Sequence, residues 1–119
     1  MVDDDIIFEN IIASILSDKY DILLAESGED ALKVLLKNKP DLILLDIIMP
    51  GMDGWETFHT IRGITLLHDV PIAFITSKND GAEIEHAKQV GAVGYFLKPV
   101  NQVDIIDGVE RILSGHVLI

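Results

Sequence analysis

Apolar and polar residues fall in blocks along this chain, and the blocks alternate in type. Leu42-Ile43-Leu44-Leu45 is an unbroken apolar run closed by Asp46. Such a run, with no polar face, reads as a strand buried on both sides, the habit of parallel sheets. The following Pro50-Gly51-Met52-Asp53-Gly54 cannot continue a strand. Three more apolar runs read the same way: Tyr20 to Ala25; Ile72-Ala73-Phe74-Ile75, ending in Thr76-Ser77; and Gly94-Tyr95-Phe96-Leu97, ending in Lys98-Pro99. Between them the spacing is helical. Ile7, Ile11, Ile12, Ile15 and Leu16 predict a helix over 6–18. Ser27 caps a second, with Asp30 reaching back, whose buried face is Ala31, Leu32, Leu35 and Leu36 and which Asn38-Lys39-Pro40 ends. Further helices are predicted over 55–62, with Trp55, Phe58 and Ile61 inward, over 83–90, closed by Gly91, and over 103–113. Strands alternating with helices argue for a parallel sheet covered on both faces.

In such a sheet the carboxyl ends of the strands share one edge, and ligands bind there. Asp46, Thr76 and Lys98 all end strands, and Asp3-Asp4-Asp5 joins them if a strand precedes it. Asp46 could merely cap the turn before Pro50, and an acidic run at a terminus is usually just solvated. Together, though, the carboxylates repel: two charges at ~4 Å cost roughly 4 kcal/mol at an effective dielectric near 20. A hard divalent cation such as Mg²⁺, which takes oxygen ligands, relieves this. Asp3, Asp4 and Asp46 then hold the metal on one side of Asp46, with Lys98 on the other. Cations flanking a carboxylate make it a phosphoryl acceptor, and Thr76 offers a hydroxyl to the arriving group.

Composition narrows the partners. The 119 residues read as one domain, 1–119. A net charge of −11 argues against direct contact with nucleic acid or anionic membrane. No cysteine is present, so thiolate metal sites and cysteine nucleophiles are excluded. No apolar run reaches the roughly 20 residues that span a bilayer; the expectation is a soluble, cytoplasmic protein. His59, His68, His86 and His116 lack metal-ligand spacing and read as surface or structural residues. Trp55, Met49 and Met52 read as packing.

The chain resembles the receiver domain of two-component response regulators over nearly all its length. The resemblance rests on Val2-Asp3-Asp4-Asp5, Ala25 to Leu32, Pro40 to Asp46 with Met49-Pro50 and Met52-Asp53-Gly54, Pro71-Ile72 through Thr76-Ser77, Gly91-Ala92, and Gly94 to Pro99. It implies a flavodoxin-like, doubly wound α/β fold with strand order 2-1-3-4-5. It implies Asp46 as the phospho-acceptor, charged by a histidine kinase or phosphotransfer protein, with Lys98 and Thr76 assisting. Mg²⁺ would lie on Asp3, Asp4 (the direct ligand of the pair), Asp46 and the backbone carbonyl of Ile48. Thr76 and Tyr95 would form the switch that presents the face of the fourth helix, fifth strand and fifth helix to a downstream protein. The chain is thus expected to be a signalling receiver rather than an enzyme, assisting only its own phosphorylation and dephosphorylation. Ile48 and Lys78, each two residues past a site residue, line the approach of hydrolytic water; neither suits orienting it, so phosphate loss should be slow.

Other readings compete less well. A flavin-binding domain of the same fold needs a phosphate loop, which three aspartates would oppose. A phosphatase resembling the haloacid dehalogenases wants a second aspartate where Ile48 stands. A receiver-like interaction module that takes no phosphate needs a defect, and one candidate exists: only Met1 and Val2 precede Asp3, so the first strand is largely missing. Its absence would leave a slot of roughly 9.6 Å, two strand spacings. The tail His116-Val117-Leu118-Ile119, after a Ser114-Gly115 turn, is expected to fill it, either in cis or by strand exchange with a second copy in a homo-oligomer.

Overall fold

The computed structural model describes all residues, 1–119. Five helices form: α1 (Ile6–Leu16), α2 (Gly28–Leu35), α3 (Gly54–Arg62), α4 (Gly81–Val90) and α5 (Gln102–Leu113). Each begins on a side chain that accepts the otherwise orphaned N–H three residues on: Asp5, Ser27, Asp53, Asp80 and Asn101. Ser27 accepts from Asp30 as its spacing foretold, and Asp30 in turn accepts the Glu26 N–H at 3.1 Å. Helices α3 and α4 start one and two residues before their predicted limits, because Asp53 and Asp80 cap at Gly54 and Gly81.

Three strands make a regular parallel sheet in the order β1 (Ile43–Leu45), β2 (Ile72–Thr76), β3 (Gly94–Leu97). Ile43 pairs with Ile72, and Ala73 with Gly94. Helices α1 and α5 cover one face, where Ile12, Leu16, Ile105 and Val109 pack on Leu44, Ala73 and Ile75. On the other face, Ala31, Phe58, Ile61 and Ala87 from α2, α3 and α4 pack on Leu45 and Phe74. This is a flavodoxin-like α/β fold.

The two remaining strands are reduced to single residues. Val2 bridges Ala25 on one side and Leu45 on the other, both in parallel. The Val2 N–H donates to Leu44 at 2.8 Å, and its carbonyl accepts from Asp46 at 3.0 Å. Residues 20–24, expected as strand, form no ladder; across the slot they are met only by the Met1 ammonium, which donates to the Leu23 carbonyl at 2.7 Å. Below Met1 an apolar cavity of about 770 Å³ opens, lined by Ile12, Leu24, Leu42, Leu44, Val109 and Leu113 among others.

The tail does not enter this slot in cis. The Gly115 and His116 N–H groups bond back to Ile112 and Arg111, and Gly115 turns at φ 99°, which points the chain elsewhere. The Leu118 N–H then donates to the Val93 carbonyl at 2.7 Å, ahead of β3. Leu118 and Ile119 pack against the core margin while Val117 stays exposed.

Two helix faces also differ from their predicted pattern. Ile7 and Ile11 face solvent, and the buried stripe of α1 is Glu9, Ile12 and Leu16. Leu36 is exposed, because α2 ends one residue before it.

The slot generates a stability prediction. Four apolar, β-branched residues added ahead of Met1 continue the line of Val2 and meet backbone on both sides. Burial of each such side chain is worth about 1.5–3 kcal/mol before chain ordering is subtracted. The extended protein should melt several degrees higher, since roughly 1 kcal/mol moves Tm by about 4–8 °C at this size. An unchanged melting temperature would show that the slot does not accept a strand.

Candidate functional site

The carboxyl ends of the strands assemble a compact acidic pocket. Carboxylate oxygens of Asp3, Asp4 and Asp46 lie within 4.8 Å of one another. Asp3 and Asp46 are buried and Asp4 is exposed, so the pocket opens to solvent on the Asp4 side. Asp3 is anchored through its Oδ1, which accepts the Asp5 N–H at 2.9 Å. Asp46 Oδ1 accepts from the Ile48 N–H at 3.3 Å. The turn after Asp46 is tightly packed against α3. A Cβ on Gly54 would stand 2.2 Å from the Asp46 carbonyl oxygen, so only glycine lets that helix start so close.

Lys98, just past β3, reaches across this edge. Its Nζ lies 2.8 Å from Asp3 Oδ2 and 3.1 Å from Asp46 Oδ2, and 4.4 Å from the centroid of the Phe8 ring. Burial alone would lower the Lys98 pKa, but the two carboxylates outweigh it and hold the ammonium charged. The Asp3 pKa is nonetheless raised, first by burial and then by Asp46 nearby, with Lys98 opposing. One ammonium does not fully neutralise this site. Three oxygen-bearing groups around an incompletely neutralised edge suit a hard divalent cation.

Thr76, fully buried, ends β2 with its Oγ1 3.4 Å from the Lys78 N–H. The Tyr95 hydroxyl donates to the Lys78 carbonyl at 2.7 Å. Burial, and then the negative charges of Glu83, Asp80 and Asp46, push the Tyr95 pKa up to about 12. Ile48 is half-exposed in the loop after Asp46. Lys78 pairs with Glu83 at 3.2 Å.

The four histidines stay away from the pocket. His86 stacks on Trp55, His59 meets the Phe58 edge, and His68 and His116 contact the Thr65 and Arg111 carbonyls. Met49 is buried, as a packing residue should be. Trp55 does more than pack: its Nε1 donates to Glu83 at 3.0 Å. Two acidic residues escaped the sequence reading, Glu83 and Glu9. Glu9 stands three and seven residues before Ile12 and Leu16, on the inward stripe of α1, and that register was the available signal.

Compared with known families, residues 1–110 match the response regulator receiver domain. The chain is 39% identical over 98 residues to the transcriptional regulatory protein AfsQ1 of Streptomyces coelicolor, covering 82% of this chain and 42% of that protein. It therefore spans under half the length of that relative. It is also 28% identical over 96 residues to protein PilH of Pseudomonas aeruginosa, covering 81% of this chain and 79% of that one. Among solved structures, the chemotaxis protein CheY4 of Vibrio cholerae superposes with a TM-score of 0.88 at 29% identity, covering 93% of each chain. A signal receiver domain of a histidine kinase from Syntrophus aciditrophicus superposes at 0.85 and 29% identity, over 96% of this chain and 87% of that one.

Glu9 yields a pH prediction. Burial, with Asp3 and Glu26 adding and the Met1 ammonium opposing, raises its pKa from an ordinary 4.5 to about 7. The native chain thus holds a proton between these values that the unfolded chain has released. Stability falls as pH rises from 4.5 to 7, by on the order of 3 kcal/mol from this group. In metal-free denaturant titrations Glu9→Gln should match the wild type near pH 4 and exceed it at pH 8. Parallel profiles for the two proteins would remove Glu9 as the cause.

Proposed function

The chain belongs to the response regulator receiver family, and from that membership we propose that it accepts a phosphoryl group on Asp46. Receivers of this family are two-component signalling modules that interact with histidine kinases or phosphotransfer proteins and with downstream effectors. The single observation that carries the reading is the Lys98 ammonium shared by Asp3 and Asp46 at the mouth of an acidic pocket. Residues 1–119 act as one receiver unit.

Asp3, Asp4, Asp46 and the Ile48 carbonyl would hold Mg²⁺, which would supply charge neutralisation for the incoming group. Asp46 Oδ attacks the phosphorus of a phosphohistidine; the P–N bond breaks as the P–O bond forms, and the imidazole leaves. Lys98 balances the charge gathering on the phosphoryl oxygens. Thr76 Oγ1 turns to donate to one of them, giving up the Lys78 N–H. Tyr95 follows, and the surface of α4, β3 and α5 shifts toward the state its downstream partner binds. Ile48 and Lys78 offer no base or acceptor to orient water, so the acyl phosphate is long-lived.

A small phosphodonor with Mg²⁺ should add one acid-stable, base-labile phosphoryl group, located to Asp46 by mass spectrometry of the intact and digested protein. Asp46→Asn should carry none. Labelling that survives in that variant, or that proceeds undiminished in excess chelator, would overturn the mechanism, and an unlabelled wild type would favour the phosphate-free interaction module.

Thr76→Ala should still gain the phosphoryl mass, while amide shifts over α4, β3 and α5 shrink to well under half their wild-type size. Equal shifts in the two proteins would show that Thr76 does not carry the signal.

A further inference from the structure

Lys78 sits where the acceptor edge meets the α3–α4 side of the molecule, and each part of it has a partner. Its N–H faces Thr76 Oγ1, its carbonyl holds the Tyr95 hydroxyl, and its ammonium lies 3.2 Å from Glu83 Oε1. Glu83 stands in the first turn of α4, its own N–H fixed on Asp80 Oδ1 at 2.8 Å. Its other oxygen, Oε2, accepts the indole N–H of Trp55 at 3.0 Å. Trp55, near the start of α3, stacks on His86 with ring centroids 4.0 Å apart and leans on Phe74 at 4.7 Å. A continuous path therefore runs from Thr76 through Lys78 and Glu83 to Trp55. Its weakest link is the Lys78–Glu83 pair, with side chains 40% and 21% exposed. Pairs this accessible are worth about 1 kcal/mol or less.

We propose that the Lys78 ammonium is a two-position cation, held by Glu83 while Asp46 is free and drawn onto the phosphoryl oxygens once Asp46 carries phosphate. The inference rests on the phospho-acceptor reading and adds to it a second output face, between α3 and α4. A phosphoryl group brings about 1.5–2 negative charges and three strong acceptor oxygens, against the single charge of Glu83. Lys78 is joined to the site through Thr76, and its four-carbon stem is flexible enough to change partner. When it leaves, Glu83 keeps its charge without a counter-ion, beside Asp80. The bond that ties the Trp55 indole to α4 then rearranges, and the α3–α4 contact reports the state of Asp46.

Trp55 is the sole tryptophan among these 119 residues, so the chain gives one indole N–H resonance. That resonance is followed while a small phosphodonor and Mg²⁺ load the protein, with mass spectrometry on the same sample giving the fraction phosphorylated. Phosphorylation should move the indole resonance toward its position in unphosphorylated Glu83→Gln. In phosphorylated Lys78→Met the movement should fall to under a fifth. Glu83→Gln should retain its phosphoryl group about threefold longer than the wild type, since the cation then has no competitor; the factor corresponds to an exposed ion pair. An indole resonance that stays still in demonstrably phosphorylated protein, or moves fully in Lys78→Met, overturns the proposal, as does an unchanged lifetime in Glu83→Gln. A wild-type sample that gains no mass overturns the phospho-acceptor reading, and this inference with it.

Discussion

The contact on which the rest of the site depends is the Lys98 ammonium between Asp3 and Asp46. Two buried carboxylates on neighbouring segments would otherwise repel each other inside a medium that screens poorly. Lys98 comes from the end of β3, Asp46 from the end of β1 and Asp3 from the N-terminal thread. One side chain thus ties three segments of the sheet edge together. Removing one partner from a buried pair of this kind typically costs about 3–5 kcal/mol, because an uncompensated charge stays behind. The pocket is still left with a surplus of negative charge. That surplus suits a hard divalent cation, of the kind receiver domains bind at an acidic pocket.

The rigid surroundings follow from backbone arithmetic. Every α-helix has a side-chain cap at its start, so each entry from the sheet into a helix is fixed by a side-chain bond. Gly54 lets α3 begin against the Asp46 carbonyl, which fixes the loop that follows Asp46. Phe58 and Phe74 stack behind it at 5.6 Å, with Ile61 and Leu45 filling the same layer. Asp46 therefore stands on dense packing, while Asp4 and Ile48 look outward.

Much of this was legible in the sequence. The buried strands announced themselves as unbroken apolar runs, and their polar last residues foretold which side chains share an edge. Ser27 announced its cap of the Asp30 N–H openly, and Asp30 reaches back to the Glu26 N–H rather than to Ser27's own. What could not be read were features set by distant partners. Tyr20 to Ala25 has the composition of a strand, but a strand needs a neighbour paired along its length, and across the slot its backbone is met only at Met1, Val2 and Asp3. The tail looked like that neighbour; its direction is decided by the two bonds that close the end of α5. Glu9 hid among polar helix positions because a helical stripe does not say whether its occupants are apolar. Glu83 and Trp55 come together across 28 residues, a pairing that only the packing of α3 beside α4 creates.

The thinness of the first strand has a thermodynamic consequence for the pocket. Asp46, Thr76 and Lys98 stand on or beside a continuous ladder, whereas Asp3 and Asp4 hang from a thread joined to it by the pairing of one residue, Val2. The two halves of the pocket thus belong to regions of unequal local stability. A cation that binds both halves must hold the thread in register, and its apparent affinity is reduced by whatever fraction of molecules have let the thread go. By the same linkage, cation binding and the ordering of residues 1–4 reinforce one another. A cation bound there would then also be a clasp, fastening the Asp3–Asp4 segment to the sheet.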